Sequence, residues 1–112
     1  MRMKKFGNTG LVVSELCLGA MTFGGNEGIW AQIGNLGQTT ADELIKAAID
    51  EGVNFFDTAN VYSGGRSEEI LGQSLRSLGI PRDQFVLATK VFGCAGTGEI
   101  DPSLRECRNL PE

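Results

Sequence analysis

Apolar positions in this chain fall into short runs of strand length and longer stretches of helical spacing, and their order suggests an architecture. Met3 to Phe6 and Leu11 to Val13 are β-favouring runs on either side of Gly7-Asn8-Thr9-Gly10. Those four residues tolerate positive φ, so a small capping hairpin is expected. Leu16-Cys17-Leu18 predicts a brief apolar strand that ends at Gly19. Ala20 to Gln38 is rich in Gly and Asn without a steady period, and reads as one long shaped loop. Thr40-Ala41-Asp42-Glu43 matches the Thr-x-x-Glu capping box, which predicts a helix beginning there. Leu44, Ile45, Ala48 and Ile49 would form its buried face and Asp42, Glu43, Lys46 and Asp50 its wet face, with Gly52 left-handed just past the end.

Val53-Asn54-Phe55-Phe56 is short, apolar and bounded, which favours a buried parallel strand with Asp57 at its carboxyl end. Thr58 to Gly65 reads as loop. Ser67-Glu68-Glu69 opens a second helix with acidic residues where the helix dipole favours them. Ile70, Leu71, Leu75 and Leu78 supply its buried face, and Gly79 and Pro81 end it. Phe85 to Thr89 is a third strand, with Lys90 at its carboxyl end. Strand, helix, strand, helix, strand with short connections is the pattern of a right-handed parallel α/β sheet. From Gly93 onward two prolines and scattered charge leave no clean period, and no element is predicted.

Composition narrows the function classes. A chain of 112 residues with 41% hydrophobic and 21% charged content is ordinary for one globular domain. The formal charge is −4 and no run of Lys or Arg forms a stripe, so no nucleic-acid partner is expected. The three cysteines, Cys17, Cys94 and Cys107, include no Cys-x-x-Cys pair, which argues against a disulfide framework or zinc knuckle and for a reducing, cytoplasmic setting. Cys17 reads as a small buried hydrophobe. With no histidine, and no acidic residues at metal-ligand spacing, no metal is expected. Arg2, Lys4 and Lys5 precede a stretch too broken to be a signal-peptide core. No segment is apolar for the ~20 residues that a spanning helix needs, so no membrane partner is expected.

The candidate chemistry lies at the strand ends. Asp57 and Lys90 would end neighbouring parallel strands and Tyr62 would lie in the loop that follows Asp57, bringing a carboxylate, a phenol and an ammonium to the carboxyl ends of the strands. Taken singly, each has a structural reading: Asp57 as a cap or turn residue, Tyr62 as a shield, Lys90 as a solvated charge. Met21, Phe23 and Trp30 either line a substrate cleft or pack down their loop, and Trp30 is the substrate-side candidate. Gly64-Gly65-Arg66 reads as a tight turn, with an anion cradle as the alternative.

Several ordered motifs resemble one family. Val53-Asn54-Phe55-Phe56-Asp57-Thr58-Ala59-Asn60-Val61-Tyr62-Ser63-Gly64 resembles the most recognisable motif of the aldo/keto reductases. Gly10-Leu11-Val12-Val13-Ser14 and Leu18-Gly19-Ala20-Met21-Thr22-Phe23-Gly24 are similar to that family's opening hairpin and first strand. Ser67-Glu68-Glu69-Ile70-Leu71-Gly72 and Ala88-Thr89-Lys90 are similar to its second helix start and third strand end. The resemblance spans roughly residues 4–92. It implies the amino-terminal portion of a (β/α)8 TIM barrel, with about three strands and a capping hairpin, and NADPH-dependent reduction of an aldehyde or ketone to an alcohol. Tyr62 would be the general acid, Lys90 its charge partner and Asp57 the group that holds Lys90. Gly19, Ala20, Met21, Thr22 and Asp57 would line the nicotinamide end of the cofactor.

The sequence departs from the family in lacking the family's catalytic histidine and the late loops that hold the rest of the nucleotide. Residues 1–92 therefore read as a partial barrel and 93–112 as a divergent tail, expected from a truncated or frame-shifted reading frame, with a natural short form second. A complete barrel takes about 250 residues, so the isolated piece is expected to be inactive. Its open sheet edge is expected to invite self-association. Two other readings are a functionless truncated product and a non-catalytic nucleotide-binding subunit, as in the potassium-channel β subunits of this fold.

Overall fold

In the computed structural model the described residues are 1–91; the expectations for Phe92, Cys94, Cys107 and the tail from Gly93 lie outside them. Strands β1 (Met3–Lys5) and β2 (Val12–Ser14) pair antiparallel, with Lys4 opposite Val13, as the Gly-Asn-Thr-Gly turn requires. Asn54 fastens this hairpin to the sheet: its Oδ1 accepts from the Ser14 N–H at 2.7 Å and its Nδ2 donates to the Val12 carbonyl at 3.1 Å.

Strands β3 (Leu18–Gly19), β4 (Phe55–Asp57) and β5 (Val86–Ala88) form a parallel sheet in the order β3-β4-β5. The register sets Leu18 beside Phe56 and Leu87, and Gly19 beside Asp57 and Ala88. Side chains alternate between the two faces of a sheet, so these sets point opposite ways. Phe56, fully buried, meets α2 (Gln38–Asp50) and α3 (Arg66–Ser77) in a core with Ala20, Phe23, Ala41, Ile45, Ile70, Leu71 and Leu75, and Leu18 and Leu87 pack against it. The face of Gly19 and Asp57 points away from the core that α2 and α3 build around Phe56. The sheet is not closed into a barrel among the described residues. No helix among them is long and apolar enough to cross a membrane.

Four expectations fail, each for a physical reason. The Gly-rich loop contains a short helix, α1 (Gly28–Ile33), which buries no residue completely and so leaves no apolar period to read. The proposed capping box is not one: α2 begins at Gln38 with Gly37 as its cap, and Thr40 lies inside the helix. The earlier start is fixed by side-chain contacts, because the Gln38 amide reaches Asp42 Oδ1 one turn on at 2.7 Å and Ser74 Oγ of α3 at 2.8 Å. Those contacts also draw Asp42 away from the purely wet face, and the hydrogen bond from Ser74, then that from Gln38, holds its carboxyl below the usual range. Leu44 is exposed rather than buried, since the helix turns Ala41 and Ile45 inward. Cys17 is exposed because it lies two residues before Gly19, on the face turned away from the core of α2 and α3.

Candidate active site at the strand ends

The alternation that sends Phe56 into the core sends Asp57 to the open face, beside Ala88. Lys90, two residues past Ala88, returns to that same face. Backbone pairing continues beyond the strands, with Thr58 N–H donating to the Ala88 carbonyl at 2.9 Å and Asn60 N–H to the Lys90 carbonyl at 3.3 Å. Lys90 Nζ consequently donates to Asp57 Oδ2 at 2.6 Å, to the Thr58 carbonyl at 2.9 Å and, more distantly, to Tyr62 Oη at 3.3 Å. Its ammonium stands 5.0 Å from the Tyr62 ring centroid.

Tyr62 is presented by a strained turn. Ser63 has φ 50° and ψ 38°, and Gly64 and Gly65 follow with φ of 62° and 94°. Left-handed backbone is unfavourable for a residue with a Cβ. Ser63 is held there by its Oγ, which donates to the Phe23 carbonyl at 3.0 Å. The expected tight turn at Gly64-Gly65-Arg66 is present, and Arg66 pairs with Glu69. Beneath the site, the buried Ser67 Oγ donates to the Ala20 carbonyl at 2.6 Å and meets Thr58 Oγ1 at 3.0 Å.

The structure brings Asp57, Tyr62 and Lys90 together and adds Trp30, whose ring lies 5.9 Å from that of Tyr62 at 58°. Gly19 lies level with Asp57, and a Cβ there would meet nothing within 4 Å. Met21 and Thr22 are exposed beside it in sequence, whereas Ala20 is inside the core, with its N–H donating to the Asp57 carbonyl at 2.8 Å. Sequence reasoning missed Thr58 and Ser67 as supports. Their signal was weak, since a serine at a helix start is ordinarily explained by capping, and here it bonds across to another segment.

The hydrogen bond to Asp57 raises the pKa of Lys90; desolvation takes back a smaller part, and the hydrogen bond to Tyr62 adds a still smaller rise. A raised folded-state value means that the stabilisation is complete below the ordinary lysine value of about 10.4 and is lost as pH climbs through the folded value. Lys90 therefore stays charged through the neutral range. Urea midpoints should fall above about pH 10 more steeply in the wild type than in Lys90→Met. Equal alkaline losses would mean that the ion pair contributes nothing to folding.

A polar cluster at the carboxyl ends of parallel strands, with α2 and α3 packed on the opposite face, marks an α/β protein of the class that holds its ligands at that end of the sheet. The Aldo/keto reductase family model matches residues 15–108, extending beyond Phe92. The chain belongs to the aldo/keto reductase family. It is 44% identical over 105 residues to a protein of Oryza sativa subsp. japonica named as a probable voltage-gated potassium channel subunit beta, covering 93% of this chain and 29% of that protein. It is 41% identical over 99 residues to an aldo-keto reductase of Alternaria alternata, covering 88% and 26% respectively. Among solved structures, an aldo-keto reductase from Bacillus halodurans in its holo form superposes with a TM-score of 0.65 at 30% identity, covering 83% of this chain and 26% of that one. The chain thus spans 26–29% of the length of these two sequence relatives.

Proposed function

We propose that the chain is the opening portion of a (β/α)8 reductase barrel and carries the acid-base group for NADPH-dependent reduction of an aldehyde or ketone to an alcohol. The observation that carries this reading is one ammonium, Lys90 Nζ, shared by a carboxylate, a backbone carbonyl and a phenol at the carboxyl end of a parallel sheet. The open side fits the nicotinamide end of the cofactor. Gly19 leaves room for a flat ring, Met21 and Thr22 are accessible, and Asp57, with 35% of its side chain exposed, can still accept a hydrogen bond. Ala20 supports that loop from beneath.

When bound, NADPH supplies the hydride that reduces the carbonyl carbon, and is itself oxidised to NADP⁺. Tyr62 passes its phenolic proton to the carbonyl oxygen and is left as phenolate. A free tyrosine near pKa 10 is a slow donor at neutral pH unless the charge left behind is stabilised. Lys90 places a positive charge beside that oxygen, and Asp57 and the Thr58 carbonyl keep the ammonium in place. Trp30 walls the substrate side.

The test is fluorescence titration with NADPH followed by aldehyde-dependent NADPH oxidation, comparing this chain with a version extended through the remaining strands of a relative. Binding and turnover are expected only in the extended form, and an extended form that does neither would sink the reading. A regulatory role without turnover is the second reading, favoured by the relatives named as potassium channel β subunits. Cofactor binding without aldehyde reduction would support it. The edges of β3 and β5 also suit self-association of the isolated chain.

A further inference from the structure

The loop between β3 and α2 is closed at its neck by backbone hydrogen bonds. Gly24 N–H donates to the Leu36 carbonyl at 2.8 Å, Leu36 N–H to that of Thr22 at 3.1 Å and Gly25 N–H to that of Gly34 at 3.1 Å. The neck is tight: a Cβ on Gly25 would lie 2.2 Å from the Trp30 carbonyl oxygen and 2.3 Å from that of Gly34, and one on Gly34 would lie 2.6 Å from Thr22 Cβ. At its base Phe23 is anchored in the core, and the Phe23 carbonyl receives the Ser63 hydroxyl. At its crown α1 carries Trp30 onto Tyr62. The two aromatic residues in contact are the chain's single tryptophan and single tyrosine.

From this closed loop we propose that Trp30 is a positioning residue for Tyr62: the loop presses the indole against the phenol ring and keeps its hydroxyl turned toward Lys90. Lys90 alone cannot fix the ring, because its ammonium is 3.3 Å from the hydroxyl and is already shared with Asp57 and Thr58. A tilted aromatic pair supplies the missing restraint from another side. The importance of such a restraint for catalysis rests on the reductase reading, since a misplacement of about 1 Å can cost on the order of 10²-fold in rate. The contact itself does not rest on it.

Ring-labelled tyrosine gives one set of ¹³C resonances in this chain, so NMR of the 112-residue protein reads Tyr62 directly. In the wild type the ring signals are expected to be displaced from those of free tyrosine by the neighbouring indole. Trp30→Leu, which keeps an apolar side chain, should lose that displacement and leave one averaged set. Trp30→Phe should retain part of it. Gly25→Ala, which does not touch Tyr62 but opens the neck, should reproduce the loss, while urea midpoints report whether the core survives. Tyr62 signals unchanged in both Trp30→Leu and Gly25→Ala would overturn the proposal, as would wild-type signals identical to free tyrosine. Failure of the reductase reading shows instead as absent turnover in the extended form with these spectra intact.

Discussion

Tyr62→Phe is expected to lower the rate of NADPH-dependent aldehyde reduction about 10²–10⁴-fold, the usual contribution of a positioned general acid, in whichever form of the chain turns over. The substitution removes one oxygen and keeps the ring. The contact with Trp30 can therefore remain, and Lys90 retains its bonds to Asp57 and the Thr58 carbonyl. Cofactor affinity and the urea midpoint should stay near the wild-type values. An equal loss of kcat and kcat/KM with an unchanged dissociation constant for NADPH would identify an interaction made in the transition state alone. Wild-type turnover by the variant would remove Tyr62 from the chemistry.

The largest stability effect is expected at Phe56. Its side chain is fully buried, meets Phe85 edge-on with ring centroids 6.1 Å apart, and joins the sheet to both long helices. Truncating a buried phenylalanine costs about 3–5 kcal/mol through lost transfer energy and the cavity left behind. Against the roughly 5–15 kcal/mol that holds an ordinary domain together, Phe56→Ala should remove a large share of the stability of the chain. Urea unfolding followed by far-UV circular dichroism checks this, and a midpoint close to wild type would place the core elsewhere. Leu44→Ala, on the exposed side of α2, is the matching control.

These residues also explain what could be read from the sequence. The hairpin was legible from its Gly-Asn-Thr-Gly turn, and the parallel strands around Phe56 and Leu87 and the buried face of α3 from short apolar runs or a helical period with a clear stop. Asp57, Tyr62 and Lys90 were legible as a group because they follow from where strands end. The helix carrying Trp30 was not, since it is short, buries no residue completely and depends on a neck of backbone bonds. The start of α2 was misread because Gln38 is fixed by Ser74, which is distant in sequence. Cys17 was misread because an apolar triplet does not reveal which of its members faces the helices.

The alternation of faces along β4 ties the chemistry to the core more closely than proximity does. Sliding that strand by one residue would drive the carboxylate of Asp57 in among the leucines and turn the Phe56 ring out to water. Gain or loss of a single residue between Gly52 and Asn54 would therefore meet a penalty of packing before it altered any reaction. The burial of one phenylalanine thus acts as a proofreader of the active-site alignment.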